Sequence, residues 1–299
     1  MPSATKPCVA VVVKRSTYRQ FVLEAHDPLL TRLLRRRDPT IARVRQSHEA
    51  HESTVHEVER ALRSLGAEIH YCLGPRPHVP TRASLLVTIG GDGTLLAASH
   101  LIGDGIPLLG INSAPDSSIG FFCGGRKGDV LPTLERALRG SLDAVELSRM
   151  RVELNGKLLH SRVLNEALFC HASPAATSRY ILELPKGLEE QRSSGLWIGP
   201  AAGSTAAQKS AGGTVLPLTS KRIQYVVREP YIPAGRRLRF TRGLVAAGDV
   251  LTLRSKMREA KVFLDGNRLV HSVTLGDVLT MQRSDDSLTV LGIKAKRRI

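Results

Sequence analysis

The pentapeptide Gly90-Gly91-Asp92-Gly93-Thr94 brings three glycines, a carboxylate and a hydroxyl together directly after an apolar run, Leu85-Leu86-Val87-Thr88-Ile89. Glycines permit tight backbone geometry and leave backbone N–H groups approachable. Such N–H groups, at the start of a helix, suit a phosphate. A carboxylate in the same loop repels that ligand. It makes chemical sense if Mg²⁺ neutralises part of the charge, or if the carboxylate takes a proton from an attacking hydroxyl. On the pentapeptide alone, Asp92 as an ordinary helix cap is the competing reading.

Gly90 to Thr94 resembles the GGDGT motif shared by NAD kinases and the diacylglycerol and sphingosine kinases. Three further blocks separate these branches. Asn165-Glu166 resembles the Asn-Glu pair of NAD kinases. Gly203-Ser204-Thr205-Ala206, followed by Ser210-Ala211-Gly212-Gly213, resembles the GSTA…SAGG segment of that family. Asp265-Gly266-Asn267 resembles its late Asp-Gly-Gln element. The blocks occur in the family's order. The stretches from Gly90 through His100 to Asn112-Ser113, and from Ser193 to Ala207, are most similar to the plant NADH kinases and their animal mitochondrial relatives.

The resemblance implies an N-terminal α/β domain with a parallel sheet and a C-terminal β-rich, dinucleotide-binding domain. It implies ATP-dependent phosphorylation of the adenosine ribose 2′-hydroxyl of NAD or NADH, with Mg²⁺ accompanying ATP. Asp92 would be the general base, and Gly90, Gly91, Gly93 and Thr94 would lie along phosphate. His100 would sit near the dinucleotide phosphates; the alternative is a helix-surface histidine. Asn165 and Glu166 would bond the adenine or its ribose, Thr205 and Ser210 would sit near the adenine, and Asn267 near the nicotinamide. The bland alternatives are a helix cap for Thr205, filler for Ser210 and an ordinary turn at Asn267. The chain departs from the bacterial pattern at Ser193-Ser194-Gly195, where Gly-Asp-Gly is usual, at Pro200-Ala201-Ala202, and at Ala207, where a tyrosine is usual. The carboxylate expected beside the nicotinamide is therefore Ser194. A carboxylate there would favour the positively charged NAD⁺ ring, so its replacement points to use of NADH. The competing functions are a lipid kinase, which leaves Asn165-Glu166 and the Ser210–Gly213 block unexplained, and a non-catalytic NAD(H) sensor.

The elements that must hold these residues follow from the hydrophobic pattern. Residues 8–13 are a continuous apolar run, as in a strand buried on both faces. Residues 40–65 read as a long helix with apolar groups at Ile41, Val44, Val55, Val58, Leu62 and Leu65, closed by Gly66. His48 and His51 share that stripe and read as partly buried packing groups, with metal ligation as the alternative. Strands follow at 67–73, 84–90 and 107–112, with helices at 94–102 and 129–139. The rhythm is that of a parallel α/β sheet. Beyond about residue 143 strands predominate, interrupted by a small-residue helix at 205–212. The expected domains are 1–142 and 143–299, and the last strands are candidates for returning to the first. Residues 14–40 read as an Arg-rich surface loop with a short helix near Leu29–Arg36.

Composition bounds the rest. The chain has 299 residues, 42% of them apolar and 4% aromatic, so Leu, Val, Ile and Ala must fill the core. Lys and Arg number 43 against 27 Asp and Glu, a net charge of +16 that favours anionic partners. No zinc-finger spacing or RNA-binding aromatic motif accompanies that charge, only clusters such as Arg35-Arg36-Arg37 and Lys296-Arg297-Arg298, so nucleic acid is not an expected partner. Cys8, Cys72, Cys123 and Cys170 are widely spaced, which fits reduced, mostly buried thiols. No apolar run reaches the ~20 residues of a membrane span. The expected setting is the cytoplasm, without a membrane partner. The resemblance implies a homodimer or homotetramer.

Overall fold

A computed structural model describes residues 6–74, 77–235 and 237–295. The basic triplet Lys296-Arg297-Arg298 lies outside them. The chain divides into two compact units. The first comprises Met1–Val145 and Thr289–Lys294, and the second is built from Glu146–Leu288.

The first unit starts with β1 (Cys8–Val13) and a π-helical segment over Tyr18–Glu24. Then come α1 (Pro28–Arg35), a 3₁₀ turn at Pro39–Ile41 and α2 (Val44–Ser64). They are followed by β2 (Glu68–Tyr71), β3 (Leu85–Gly90), α3 (Asp92–Ser99), β4 (Leu108–Asn112), β5 (Cys123–Arg126), α4 (Val130–Leu138) and β6 (Ala144–Leu147). Strands pair in the order β2-β1-β3-β4, with β5 also on β4, and these pairings are parallel. Every residue of β3 and β4 is buried, which is why both read as unbroken apolar runs. Val58, Ala61 and Leu62 of α2 and Val130 and Leu134 of α4 share one core with β1, β3 and β4.

Several boundaries differ from the expected ones for local reasons. Helix α2 begins at Val44 because the Asp38 carboxylate accepts the Thr40 N–H and turns Pro39–Ile41 into 3₁₀ structure. Helix α3 begins at Asp92, two residues early, and ends at Ser99. Strand β5, with the sequence Cys-Gly-Gly-Arg, carries no β-forming signal. Its Gly124 is there because a Cβ would collide with the Leu291 carbonyl.

The second unit contains β7 (Met150–Leu154), β8 (Lys157–Val163), β9 (Ala167–His171), β10 (Ser178–Leu184), β11 (Gly187–Ser193) and β12 (Gly195–Pro200). A 3₁₀ segment (Ala201–Thr205) and the short α5 (Ala207–Ser210) replace the single helix expected at 205–212. Then follow β13 (Ile223–Arg228), β14 (Arg242–Val245), β15 (Leu251–Ser255), β16 (Ala260–Leu264), β17 (Leu269–Val273) and β18 (Val278–Arg283). They form two antiparallel sheets, β11-β10-β15-β18-β7-β8 and β14-β13-β12-β9-β16-β17. Alternate residues face inward, as along Ala260, Val262 and Leu264 of β16. Both sheets feed one core, in which the Phe169 and Tyr180 rings meet edge to face at 5.5 Å. The final strand, β19 (Leu288–Leu291), lies in the first unit's sheet between β4 and β6.

Phe169 belongs to one sheet and Tyr180 to the other, so the pair joins the layers. Phe169→Ala is expected to cost about 3–5 kcal/mol of stability. Denaturant unfolding of the full chain measures it.

Candidate functional site

Strand β3 ends at Gly90, and the chain turns at once into α3. Gly90 packs so closely that a Cβ would collide with the Thr94 hydroxyl, and one on Gly91 would strike Ser118 Oγ. A Cβ on Gly93 would meet nothing within 4 Å, and Gly93 is exposed. The protein requires Gly90 for its own packing, a Cβ on Gly91 would need only the Ser118 hydroxyl to turn away, and the space at Gly93 is open.

Asp92 does not act as the N-cap; that position belongs to Gly91. Its carboxylate instead accepts two backbone N–H groups, Phe121 N at 2.8 Å on one oxygen and Phe122 N at 2.7 Å on the other. The side chain is partly exposed. Each oxygen is held by one donor and keeps a lone pair. A carboxylate fixed this way can accept a proton without reorienting. Burial and the Asp92 charge push the neighbouring Cys123 thiol up to about 12, so it stays protonated.

Beside the loop lies a pocket of about 430 Å³ that reaches Gly90 and Gly91. Lys14 and Arg43 line it, with hydroxyls from Ser16, Thr40, Ser113 and others, and none of its lining residues is acidic. Most of one wall comes from residues 14–47. The two ends of the 14–40 segment read as a surface loop, Lys14–Thr17 and Pro39–Thr40, are therefore part of this pocket. The sequence signal was present in Lys14, Ser16 and Arg43 but had no spacing to make it legible. His48 and His51 of α2 are buried, and each is hydrogen-bonded to a serine on this pocket. Among the described residues no group of three or more His, Cys, Asp or Glu is placed to hold a metal.

The second unit brings three of the sequence blocks together. Asn165 and Glu166 occupy the turn between β8 and β9. The Asp265 carboxylate, at the end of β16, accepts the N–H groups of Leu164 (2.8 Å), Asn165 (2.7 Å) and Glu166 (3.1 Å). Gly199 and Gly203 lie against the Asn165 carbonyl so closely that a Cβ on either would collide with it. Gln208 Nε2 donates to the same carbonyl at 3.4 Å, and its Oε1 accepts from Gln224. Gly203 of the GSTA block and Gly199 of β12 thus serve backbone approach to the Asn-Glu turn. Burial, reinforced by the Asp265 charge, pushes the Glu166 carboxyl up to about 7. The remaining candidates are more peripheral. Thr205 ends the 3₁₀ segment, so it does not cap α5, whose N-cap is Ala206. Ser210 and Asn267 are exposed, and His100 is half-buried at the C-cap of α3. Ser194 N–H donates to the Arg228 carbonyl at 3.0 Å. Asp265, Gly199 and Gln208 were not among the sequence candidates, although Asp265 stood beside one of them.

A glycine-rich loop at the β3–α3 junction of a parallel sheet, with an antiparallel β-rich unit downstream, is the arrangement that the resemblance to the NAD kinases implies. Residues 28–138 match the family described as ATP-NAD kinase N-terminal domain. The Oryza sativa subsp. japonica protein named "Probable NADH kinase" is 36% identical over 228 residues, 69% of this chain and 70% of that one. The NADH kinase of Arabidopsis thaliana is 34% identical over 69% of this chain and 72% of its own. The chain belongs to the NAD kinase family. Its fold is shared with an NAD kinase from Archaeoglobus fulgidus solved with ATP, at a TM-score of 0.67 and 19% identity, covering 97% and 94% of the two chains. It is also shared with yeast NADH kinase solved with NADH, at a TM-score of 0.72 and 15% identity, covering 97% and 84%.

Two predictions follow from this geometry. Gly90→Ala should lose about 1–3 kcal/mol of stability through overpacking against Thr94. Gly93→Ala should melt at or slightly above the wild-type temperature, yet lose roughly 10–100-fold in kcat/KM if a phosphate hydrogen bond occupies that space. Thermal melts and kinase assays on the two variants separate these roles. The second concerns Glu166. Its folded pKa is raised, so its contribution to stability is complete below its ordinary value of 4.5 and is lost as pH rises through about 7. Across that window the wild type should lose up to about 3 kcal/mol relative to Glu166→Gln, read from denaturant midpoints at pH 4.5 and pH 8.

Proposed function

We propose that this chain transfers the γ-phosphoryl group of ATP to the adenosine ribose 2′-hydroxyl of NAD and NADH, with Asp92 as general base. Family membership supports the reaction class. The observation that carries the residue assignment is the Asp92 carboxylate, held by Phe121 and Phe122 N–H at the mouth of a glycine loop. Such a group takes the proton as the hydroxyl oxygen attacks phosphorus and the bond to ADP breaks. Catalysis in this class is mainly positioning and charge stabilisation.

In this reading the donor phosphates lie along Gly90–Thr94 and in the adjoining pocket, where Lys14 and Arg43 offset their charge. Mg²⁺ would arrive with ATP and be held mostly by phosphate and water oxygens, in keeping with the lack of a carboxylate cage among the described residues. When bound it would offset phosphate charge. The donor belongs to residues 1–142, and the dinucleotide contacts belong to 143–299 together with His100 of the first segment. Asn165 and Glu166 bond the adenosine, Thr205 and Ser210 lie near its base, His100 lies near the dinucleotide phosphates, and Ser194 and Asn267 serve the nicotinamide end. Four free thiols suit a reducing compartment such as the cytoplasm. A homodimer or homotetramer is the assembly we assign to it.

The nicotinamide end favours the reduced dinucleotide. Ser194 stands where a carboxylate would stabilise the cationic ring of NAD⁺ by about 1–4 kcal/mol at 4 Å. The Arg228 guanidinium donates to the Ser194 carbonyl at 3.4 Å and lies over the Trp197 ring at 5.6 Å. A cation in that position disfavours NAD⁺ and leaves NADH unaffected. With ATP and Mg²⁺, kcat/KM for NADH should equal or exceed that for NAD⁺, with the 2′-phosphorylated product detected in both assays. A hundredfold preference for NAD⁺ would sink the substrate assignment, and absence of any 2′-phosphorylated product would sink the function.

A further inference from the structure

Helix α2 carries a polar stripe on the face it buries. His48, His51 and Thr54 recur every three residues and are only 9%, 2% and 0% exposed. Burying polar groups costs free energy unless they are hydrogen-bonded. His48 Nδ1 lies 2.8 Å from Ser16 Oγ, and His51 Nδ1 lies 2.9 Å from Ser113 Oγ. Thr54 Oγ1 donates to the Ala50 carbonyl of its own helix at 2.8 Å and lies 3.2 Å from the Ser113 carbonyl. Ser16 and Ser113 follow β1 and β4, the two strands that flank β3, and both line the pocket beside the glycine loop. The Ser113 N–H also donates to the Gly90 carbonyl at 3.0 Å, tying this serine to the loop itself.

A seryl hydroxyl has one proton and two lone pairs, and a neutral imidazole can offer Nδ1 as donor or as acceptor. Burial, the largest influence on His51, lowers its pKa and keeps it neutral. Ser16 Oγ already accepts the Arg19 N–H at 3.1 Å. With a proton on Nδ1, each imidazole donates to its serine and leaves the hydroxyl proton for a ligand in the pocket. Lys14 and Arg43 mark that ligand as an anion. The Tyr18 ring stacks on His48 at 5.0 Å and fixes its plane.

We propose that Ser16 and Ser113 bind the phosphate groups of the donor nucleotide, and that His48 and His51 are positioning residues that turn the two hydroxyl protons toward it. The proposal rests on the reading of this pocket as the donor site. A hydrogen bond to a charged phosphate accounts for roughly a tenfold change in affinity or more.

The test uses the full chain and compares KM for ATP, KM for NADH and the equilibrium Kd for Mg-ATP in Ser16→Ala, Ser113→Ala, His51→Leu and His51→Asn, with melting temperatures alongside. Each serine variant should raise KM and Kd for ATP about tenfold or more and leave KM for NADH within about twofold. His51→Leu should match Ser113→Ala, and the double variant should be no worse than either. His51→Asn, whose amide reaches the Nδ1 position, should restore most of the affinity. Lower melting temperatures with unchanged ATP affinity in both serine variants would overturn the proposal, as would equal losses toward ATP and NADH. If the wild type binds Mg-ATP without phosphorylating NADH, the proposed function fails while the Kd comparison still decides this inference.

Discussion

The first unit depends on one constraint, a carboxylate pinned by two consecutive backbone N–H groups. Phe121 and Phe122 can reach Asp92 only because the connection after β4 folds back toward the end of β3. The parallel register places Gly90 beside Asn112, and the Asn112 side chain donates to the Ser118 carbonyl at 2.9 Å. Gly120 adopts φ +63°, which favours glycine, and a Cβ there would run into the Asn112 side chain. The sheet, the asparagine and the glycine together fix the direction of the two N–H groups. They hold in advance a carboxylate that would otherwise swing with its own rotamers.

The second unit repeats this device with different residues. Asp265 gathers three N–H groups from the Asn165-Glu166 turn, and Gly199 and Gly203 let a neighbouring backbone close on the same turn. Here the price is electrostatic, because Asp265 adds to the burial that already disfavours charge on Glu166.

The elements that were legible in the sequence were those with a period or a motif. Strands β3 and β4 showed as apolar runs because they are covered on both faces, and α2 showed through Val58 and Leu62. The glycine loop was legible because few other uses require such a density of glycine before a helix. Strand β5 was not, since its Gly124 answers to a contact with Leu291 that is distant in sequence. The pocket wall at residues 14–47 was missed for a similar reason. Lys14, Ser16 and Arg43 meet the loop only through the β1–β3 pairing and the placement of α2. His48 and His51 were visible as a pair, but their partners, Ser16 and Ser113, lie 32 and 62 residues away. Asp265 was noticed within a turn motif, and only the fold shows which backbone it holds.

The central claim is that the pinned Asp92 oxygens accept the proton of the attacking hydroxyl. Single-turnover phosphorylation of saturating NADH by Mg-ATP, followed in the wild type and in Asp92→Asn, tests it most directly. An amide must turn one N–H against Phe121 or Phe122 and can accept no proton at neutral pH, so the phosphoryl-transfer rate should fall by about 10²–10⁴-fold while NADH affinity stays within a few-fold. Transfer by Asp92→Asn at more than about a tenth of the wild-type rate would contradict the assignment.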